Sequence, residues 1–143
     1  MKLSTRTRYG IRAIIELAQY EGTRPLRLKT IAERQDISIK YLEQLMGLLR
    51  SAGLVRSVRG SKGGYALGRP ADQIRLSEVF RCLEGPVTTT ECVEDGDVCK
   101  RSADCVARDI WVEVEAAIHH VLDSITLEDL VKRAKTRGSD YQI

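Results

Sequence analysis

"ISIKYLEQLMGLLRSAGLVRSVRGSKGGYALG", residues 37–68, joins a segment of helical period to two short β-prone runs separated by a glycine-rich tip. Ser38 is a good N-cap, and Leu42, Leu45, Met46 and Leu49 recur at the spacing of one helix face until Gly53 stops the pattern. Leu54 to Val58 and Tyr65 to Leu67 then read as the strands of a hairpin hinged at "RGSKGG". Glycines in such a tip admit positive φ and close backbone approach, while Arg59 and Lys62 supply charge.

Working back from this stretch, "STRTRYGIRAIIELAQYEG" predicts a first helix capped by Ser4 or Thr5, with Ile11, Ile14, Ile15 and Ala18 on its apolar face and Gly22 as its end. Leu28 to Gln35 predicts a short second helix with Leu28, Ile31 and Ala32 facing inward, and Asp36 and Ile37 make a tight turn. Two helices about three residues apart, the second longer and polar outside, form a helix-turn-helix. A basic hairpin directly after it becomes the wing of a winged helix, in which the third helix enters the major groove and the wing lies over the minor groove.

The outer face of that third helix carries Lys40, Tyr41, Glu43, Gln44 and Gly47. Gln44 can bond adenine N6 and N7, Glu43 can accept from cytosine N4, and Lys40 and Tyr41 can reach phosphates. Taken singly, each is compatible with a solvated helix face; taken with Ser38 at the helix start and Arg59, Gly60, Ser61 and Lys62 in the wing, they point to double-stranded DNA. Charge agrees. Residues 1–70 hold 14 Lys and Arg against 5 Asp and Glu, a net +9, whereas residues 71–143 hold 9 against 15, a net −6. A basic half suits a polyanion, and an acidic half keeps that partner at one end.

Downstream, "IRLSEVFRCLEG" predicts a fourth helix with Leu76, Val79, Phe80 and Leu83 on one face and Cys82, read as a small half-buried hydrophobe, beside it. "DCVARDIWVEVEAAIHHVLDSI" predicts a long helix with Ile110, Val114, Ile118, Val121, Leu122 and Ile125 along one broad stripe and Trp111 at its edge. About twenty residues of apolar face exceed what one winged-helix core covers, so this helix is expected to pair with its copy in a homodimer, which also suits a two-fold operator. His119 and His120 lie on it as surface or interface residues. A short helix from Leu127 to about Ala134, capped by Thr126, and a frayed "KTRGSDYQI" tail close the chain. The expected fold is mainly α with a small β-hairpin wing: a winged-helix DNA-binding domain over 1–85, a cysteine loop over 86–105, and the dimerisation helix with the short helix and tail over 106–143.

That loop holds "ECVEDGDVCKRSADC", residues 91–105, with three of the four cysteines and five carboxylates. No run of residues has the length and apolarity of a membrane span and the N-terminus has no signal-peptide core, so a cytoplasmic location is expected, with no membrane partner. In a reducing compartment such thiols favour metal or redox chemistry over disulfides. Spacings of six and five residues are atypical of zinc knuckles, although three cysteines plus another ligand remain feasible for zinc; an iron-sulfur cluster accepts thiolates at adaptable spacing; unligated thiols are the third reading.

"MKLSTRTRYGIRAI", residues 37–70 and "ITLEDL" together resemble the Rrf-type winged-helix transcription regulators over nearly the whole chain. The resemblance implies that Cys92, Cys99 and Cys105 ligate an iron-sulfur cluster, 2Fe-2S or 4Fe-4S, whose state controls operator binding, and that the third helix and Arg59 contact DNA. The chain departs from the pattern at the fourth ligand. Cluster-binding members place a histidine three residues after the last cysteine, where this chain has Arg108, and others use an acidic residue near the eighth position of the partner chain's first helix, where this chain has Arg8. Glu91, Asp97, Asp104 and Cys82 are the remaining candidates within the chain. The family also implies an alternative, a metal-free regulator controlled by a partner protein through the cysteine loop. No catalytic constellation is present, and the chain is not expected to be an enzyme.

Overall fold

The computed structural model describes residues 2–141, with side chains described through residue 138. The chain runs α1 (Thr5–Gln19), α2 (Leu28–Gln35), α3 (Ile39–Ser51), β1 (Val55–Val58), β2 (Gly64–Leu67), α4 (Leu76–Glu84), α5 (Glu91–Glu94), α6 (Val106–Ser124) and α7 (Leu127–Tyr141), with single 3-10 turns at Ala71–Gln73 and Gly96–Val98. Strands β1 and β2 pair antiparallel, Val55 opposite Leu67 and Val58 opposite Gly64. The mainly helical winged-helix fold predicted from the sequence is present.

The helix-turn-helix follows its predicted boundaries closely. Asp36 takes a left-handed conformation, φ 53°, at the end of α2, and the Ser38 hydroxyl accepts the Tyr41 N–H to start α3. Leu42, Leu45, Met46 and Leu49 are all fully buried, and Leu54 N–H closes α3 onto Leu49 C=O at 3.0 Å. A core of α1, α2, α3, the hairpin and α4 forms around them.

Helix α1 departs from its predicted phase and end. Its buried face is Thr7, Gly10, Ala13, Ile14 and Leu17, leaving Ile11, Ile15 and Ala18 half-buried on the flanks. Close packing decides this: a Cβ on Gly10 would lie 2.5 Å from Leu83 Cδ1, so the small residues face α4 because only they let it approach. The helix stops at Gln19, three residues before Gly22, with Tyr20 already extended. The freed chain brings Leu26 against the wing, where it exchanges backbone hydrogen bonds of 2.9 and 2.8 Å with Tyr65.

The chain's last helix belongs to the same core. Leu76 N–H donates to Ile125 C=O at 2.7 Å and Leu127 N–H to Ile74 C=O at 3.0 Å, and Leu127 is fully buried. Instead of ending near Ala134, α7 continues through "KTRGSDY" to Tyr141. Thr126 and Asp129 cap it reciprocally, Glu128 and Lys132 pair at 3.9 Å one turn apart, and Lys135 reaches Glu21 of the α1–α2 connection at 3.2 Å. Gln142 and Ile143, the end of the tail predicted to fray, lie outside the described residues.

The predicted single broad stripe of α6 is two faces. Glu115, Ile118 and Leu122 are half-buried on the side that packs against α4. On the other side Val106, Ile110, Val114 and Val121 are 75%, 50%, 41% and 53% exposed, at a spacing that puts them in one row. None of this nineteen-residue helix is fully buried.

Candidate nucleic-acid interface and cysteine loop

Because α3 turns its leucines inward, Ser38, Lys40, Glu43 and Gln44 are exposed on the opposite face and Tyr41 is half-buried at its edge. Ser38 is committed to capping, its Oγ 3.2 Å from Tyr41 N. Glu43, Gln44 and Lys40 form no hydrogen bond or ion pair with other described residues and project to solvent. Tyr41 has two partners on α1: its hydroxyl lies 3.3 Å from Thr5 Oγ1, and its ring meets Tyr9 edge-on at 6.2 Å. Between the α1 N-terminus and α3, Thr5, Arg6, Tyr41 and Gln44 line a cleft of about 450 Å3.

The wing tip holds Arg59, Gly60, Ser61 and Lys62, all exposed. Gly60 sits at φ 111°, a conformation L side chains rarely adopt, and its C=O accepts Gly63 N–H at 3.0 Å to close the turn. Arg27, which sequence reasoning did not single out, ties the tip to the start of α2 by donating from Nη2 to Ser61 C=O at 3.1 Å.

A second group missed in the sequence fixes the α1 N-terminus. Glu84 Oε2, at the end of α4, accepts from Ser4 N at 3.3 Å, from Ser4 Oγ at 2.7 Å and from the hydroxyl of Thr7, the one fully buried polar residue of the described core. Arg6 Nε adds a bond to Leu83 C=O at 2.7 Å. The hydrogen bonds from Thr7 and Ser4 hold the Glu84 carboxyl below the usual carboxylate range. Nothing in a linear reading pairs residues eighty positions apart; Ser4 as a cap was the only visible part.

The cysteine loop leaves α4 at Gly85 and rejoins helix at α6. Cys92 lies in α5, with Thr90 Oγ1 3.0 Å from its sulfur; Cys99 follows the second 3-10 turn and is exposed; Cys105 is the N-cap residue of α6. All three thiols are free. Among the described residues no three His, Cys, Asp or Glu side chains gather as a metal site, so the three cysteines share a loop without converging. Arg108 stands where a histidine would complete the family pattern, and its Nε donates to Cys92 C=O at 2.9 Å. The hydroxyl of Ser102, between Cys99 and Cys105, is buried with no partner. Three soft thiols on one loop are the donor type an iron-sulfur group takes, but among the described residues they are not gathered into a site and no fourth ligand joins them. Cys82 is elsewhere: its thiol donates to Leu48 C=O at 3.3 Å on the core, and burial pushes its pKa up, as expected of a packing residue.

The family model for Rrf2, described as an iron-dependent transcriptional regulator, matches residues 3–133. The chain belongs to the Rrf2 family. It is 46% identical over 130 residues to the HTH-type transcriptional regulator CymR of Bacillus subtilis, covering 91% of this chain and 89% of that one. The solved structure of B. subtilis CymR, described as the global cysteine regulator, superposes with a TM-score of 0.80 at 44% identity over 93% of this chain and 98% of that chain. The structure of T. potens IscR gives 0.76 at 43% identity, covering 94% and 88%. Membership makes this chain a DNA-binding transcription regulator with a winged helix and not an enzyme. No helix of the described residues is long and apolar enough to cross a membrane.

Proposed function

We propose that this Rrf2-family chain is a cytoplasmic, homodimeric repressor that binds a two-fold operator through α3 and the wing and is controlled through the loop at residues 86–105. Gln44 and Glu43 would read base edges in the major groove, Lys40, Tyr41 and Ser38 would meet the backbone, and Arg59, with Gly60, Ser61 and Lys62, would engage the minor groove. What supports this is that the exposed α3 face and the wing tip leave Lys40, Glu43, Gln44, Arg59 and Lys62 exposed and free of other described partners. The row Val106, Ile110, Val114 and Val121 supports dimerisation, since an apolar row this long on a folded domain calls for a cover, and a second copy supplies a matching one.

Cys92, Cys99 and Cys105 would hold an iron-sulfur cluster, which when bound supplies a centre sensitive to oxygen, nitric oxide or iron-sulfur status. The observation that carries the control reading is the loop's position. One end is anchored by Glu84, which grips the α1 N-terminus beside Tyr41, and the other by Cys105, which starts the dimer-facing α6. A change in loop order therefore acts on two elements that both set where the reading helices sit.

A specific observation favours a second reading, a metal-free regulator controlled by a partner protein: the thiols do not converge, and Arg108 already bonds within the loop. Absorption spectra with iron and sulfide analysis of anaerobically purified protein separate the two. Visible absorbance that is lost on replacing any of Cys92, Cys99 or Cys105 with Ala, and retained in Cys82→Ala, is the expected result. Metal-free protein whose operator affinity the triple variant leaves unchanged under anaerobic and oxidising conditions overturns the cluster reading.

A further inference from the structure

We propose that the connection between α1 and α2 forms, with the wing, a second phosphate-binding site for the DNA backbone, with Arg24 as its principal contact outside the helix-turn-helix and the wing tip. This rests on the DNA-binding reading and extends the footprint beyond the residues that the helix and wing supply. A cleft of about 220 Å3 opens beside the wing, and its lining includes three cations, Arg24, Arg27 and Lys62, with Thr30 from the first turn of α2 and Tyr20 beside them. Neither this cleft nor the adjoining one, which shares Arg24 and Tyr20 and adds Arg56 of β1, is lined by a carboxylate. The nearby Glu21 is occupied by Lys135 at 3.2 Å.

Like charges brought together without counter-charge repel one another, so they are relieved by an anion from outside. Arg24 is exposed and forms no hydrogen bond or ion pair with the other described residues, and Lys62 is likewise unpaired, so both are available. Arg27 is held at the cleft by its bond to Ser61 C=O, which fixes the cleft to the wing tip. A single β-bridge between Leu26 and Tyr65, with backbone hydrogen bonds of 2.9 and 2.8 Å, ties the connection to β2, so its cations are tethered to the same hairpin that carries Arg59. A planar guanidinium beside a threonine hydroxyl suits a phosphodiester oxygen pair, and a wing set on a groove has a sugar-phosphate strand running along its flank. The site carries no base-reading group and should add affinity without sequence preference.

The test is the salt dependence of duplex binding by the full chain, followed by fluorescence anisotropy on operator and random duplexes. Arg24→Ala should lower the magnitude of the slope of log K against log salt by about 1 and weaken both duplexes by the same factor, because one neutralised phosphate contributes roughly 0.9 to that slope. Trimming the duplex beyond the wing should weaken wild-type binding and leave Arg24→Ala no weaker than before. Arg27→Lys, which keeps charge, should retain most of the wild-type slope, and an unchanged thermal melt of Arg24→Ala confirms that the fold is not the cause. An Arg24→Ala slope equal to wild type overturns the proposal, as does a finding that pyrophosphate binding depends on Arg24 while DNA binding does not. Arg59→Ala run in parallel separates the failures: if it weakens binding and Arg24→Ala does not, only this site falls.

Discussion

Replacing Glu84 with Gln tests how the α1 N-terminus is held. The amide keeps the carboxylate's shape and one acceptor oxygen, so it creates no cavity while it removes the charge and exchanges the second acceptor for a donor. In the protein, one oxygen of Glu84 takes the Thr7 hydroxyl, the Ser4 hydroxyl at 2.7 Å and the Ser4 N–H at 3.3 Å. A hydrogen bond to a charged acceptor is worth about 1.5–3 kcal/mol and a neutral one about 0.5–1.5, so each of the two hydroxyl bonds stands to lose about 1 kcal/mol. Glu84 is partly open to solvent, which screens its charge, and the net loss should be nearer 1 kcal/mol than 2. For a domain of this size that is a fall of roughly 2–4 °C in Tm.

The same interaction has a pH signature. Hydrogen bonds from Thr7 and then Ser4 lower the folded pKa of Glu84, so its stabilisation is complete above the unfolded carboxylate pKa and is lost as pH falls through the folded value. The gap in Tm between wild type and Glu84→Gln, followed by circular dichroism, should be constant from about pH 8 to pH 6 and should close below about pH 4. Thr7→Val made in the Glu84→Gln background should cost less than Thr7→Val alone. Equal melting of the two proteins at pH 7, or a gap that persists unchanged in acid, refutes the reasoning.

Arg59→Ala should weaken operator binding by about 1–3 kcal/mol and reduce its salt slope, measured by anisotropy. Glu43→Ala should relax sequence preference while leaving non-specific affinity equal or higher, because a carboxylate facing DNA is tolerated only where a base donor meets it; equal losses on operator and random duplex would contradict that role. Val114→Asp, in the centre of the exposed α6 row, should shift the protein to a monomer in sedimentation experiments and lower operator affinity at fixed chain concentration, with the melt of the winged-helix core little changed.

The helix-turn-helix and hairpin were legible because their information is local. The leucine period, the Ser38 cap, the Gly53 stop and the glycine-rich tip each act within a few residues, and tertiary packing agrees with all of them. The candidate DNA-reading residues follow for the same reason: once Leu42, Leu45, Met46 and Leu49 face inward, the geometry of a helix decides which side chains face out.

What the linear order could not supply is where distant segments meet. The phase of α1 went to Gly10 and Ala13 over Ile15 because Leu83 packs there, and closeness of approach outweighs the hydrophobicity of one side chain. Glu84 finds Ser4 and Thr7, Arg27 finds the wing tip, and α7 returns with Leu127 to the core built by α1, α3 and α4, none of which has a signature at fixed spacing. The cysteine loop marks the same boundary from the other side. Its sequence determined that three thiols and five carboxylates share one loop, but bringing thiols to a common point takes long-range backbone placement, and in the fold Arg108 bonds into that loop where the family pattern has a ligand.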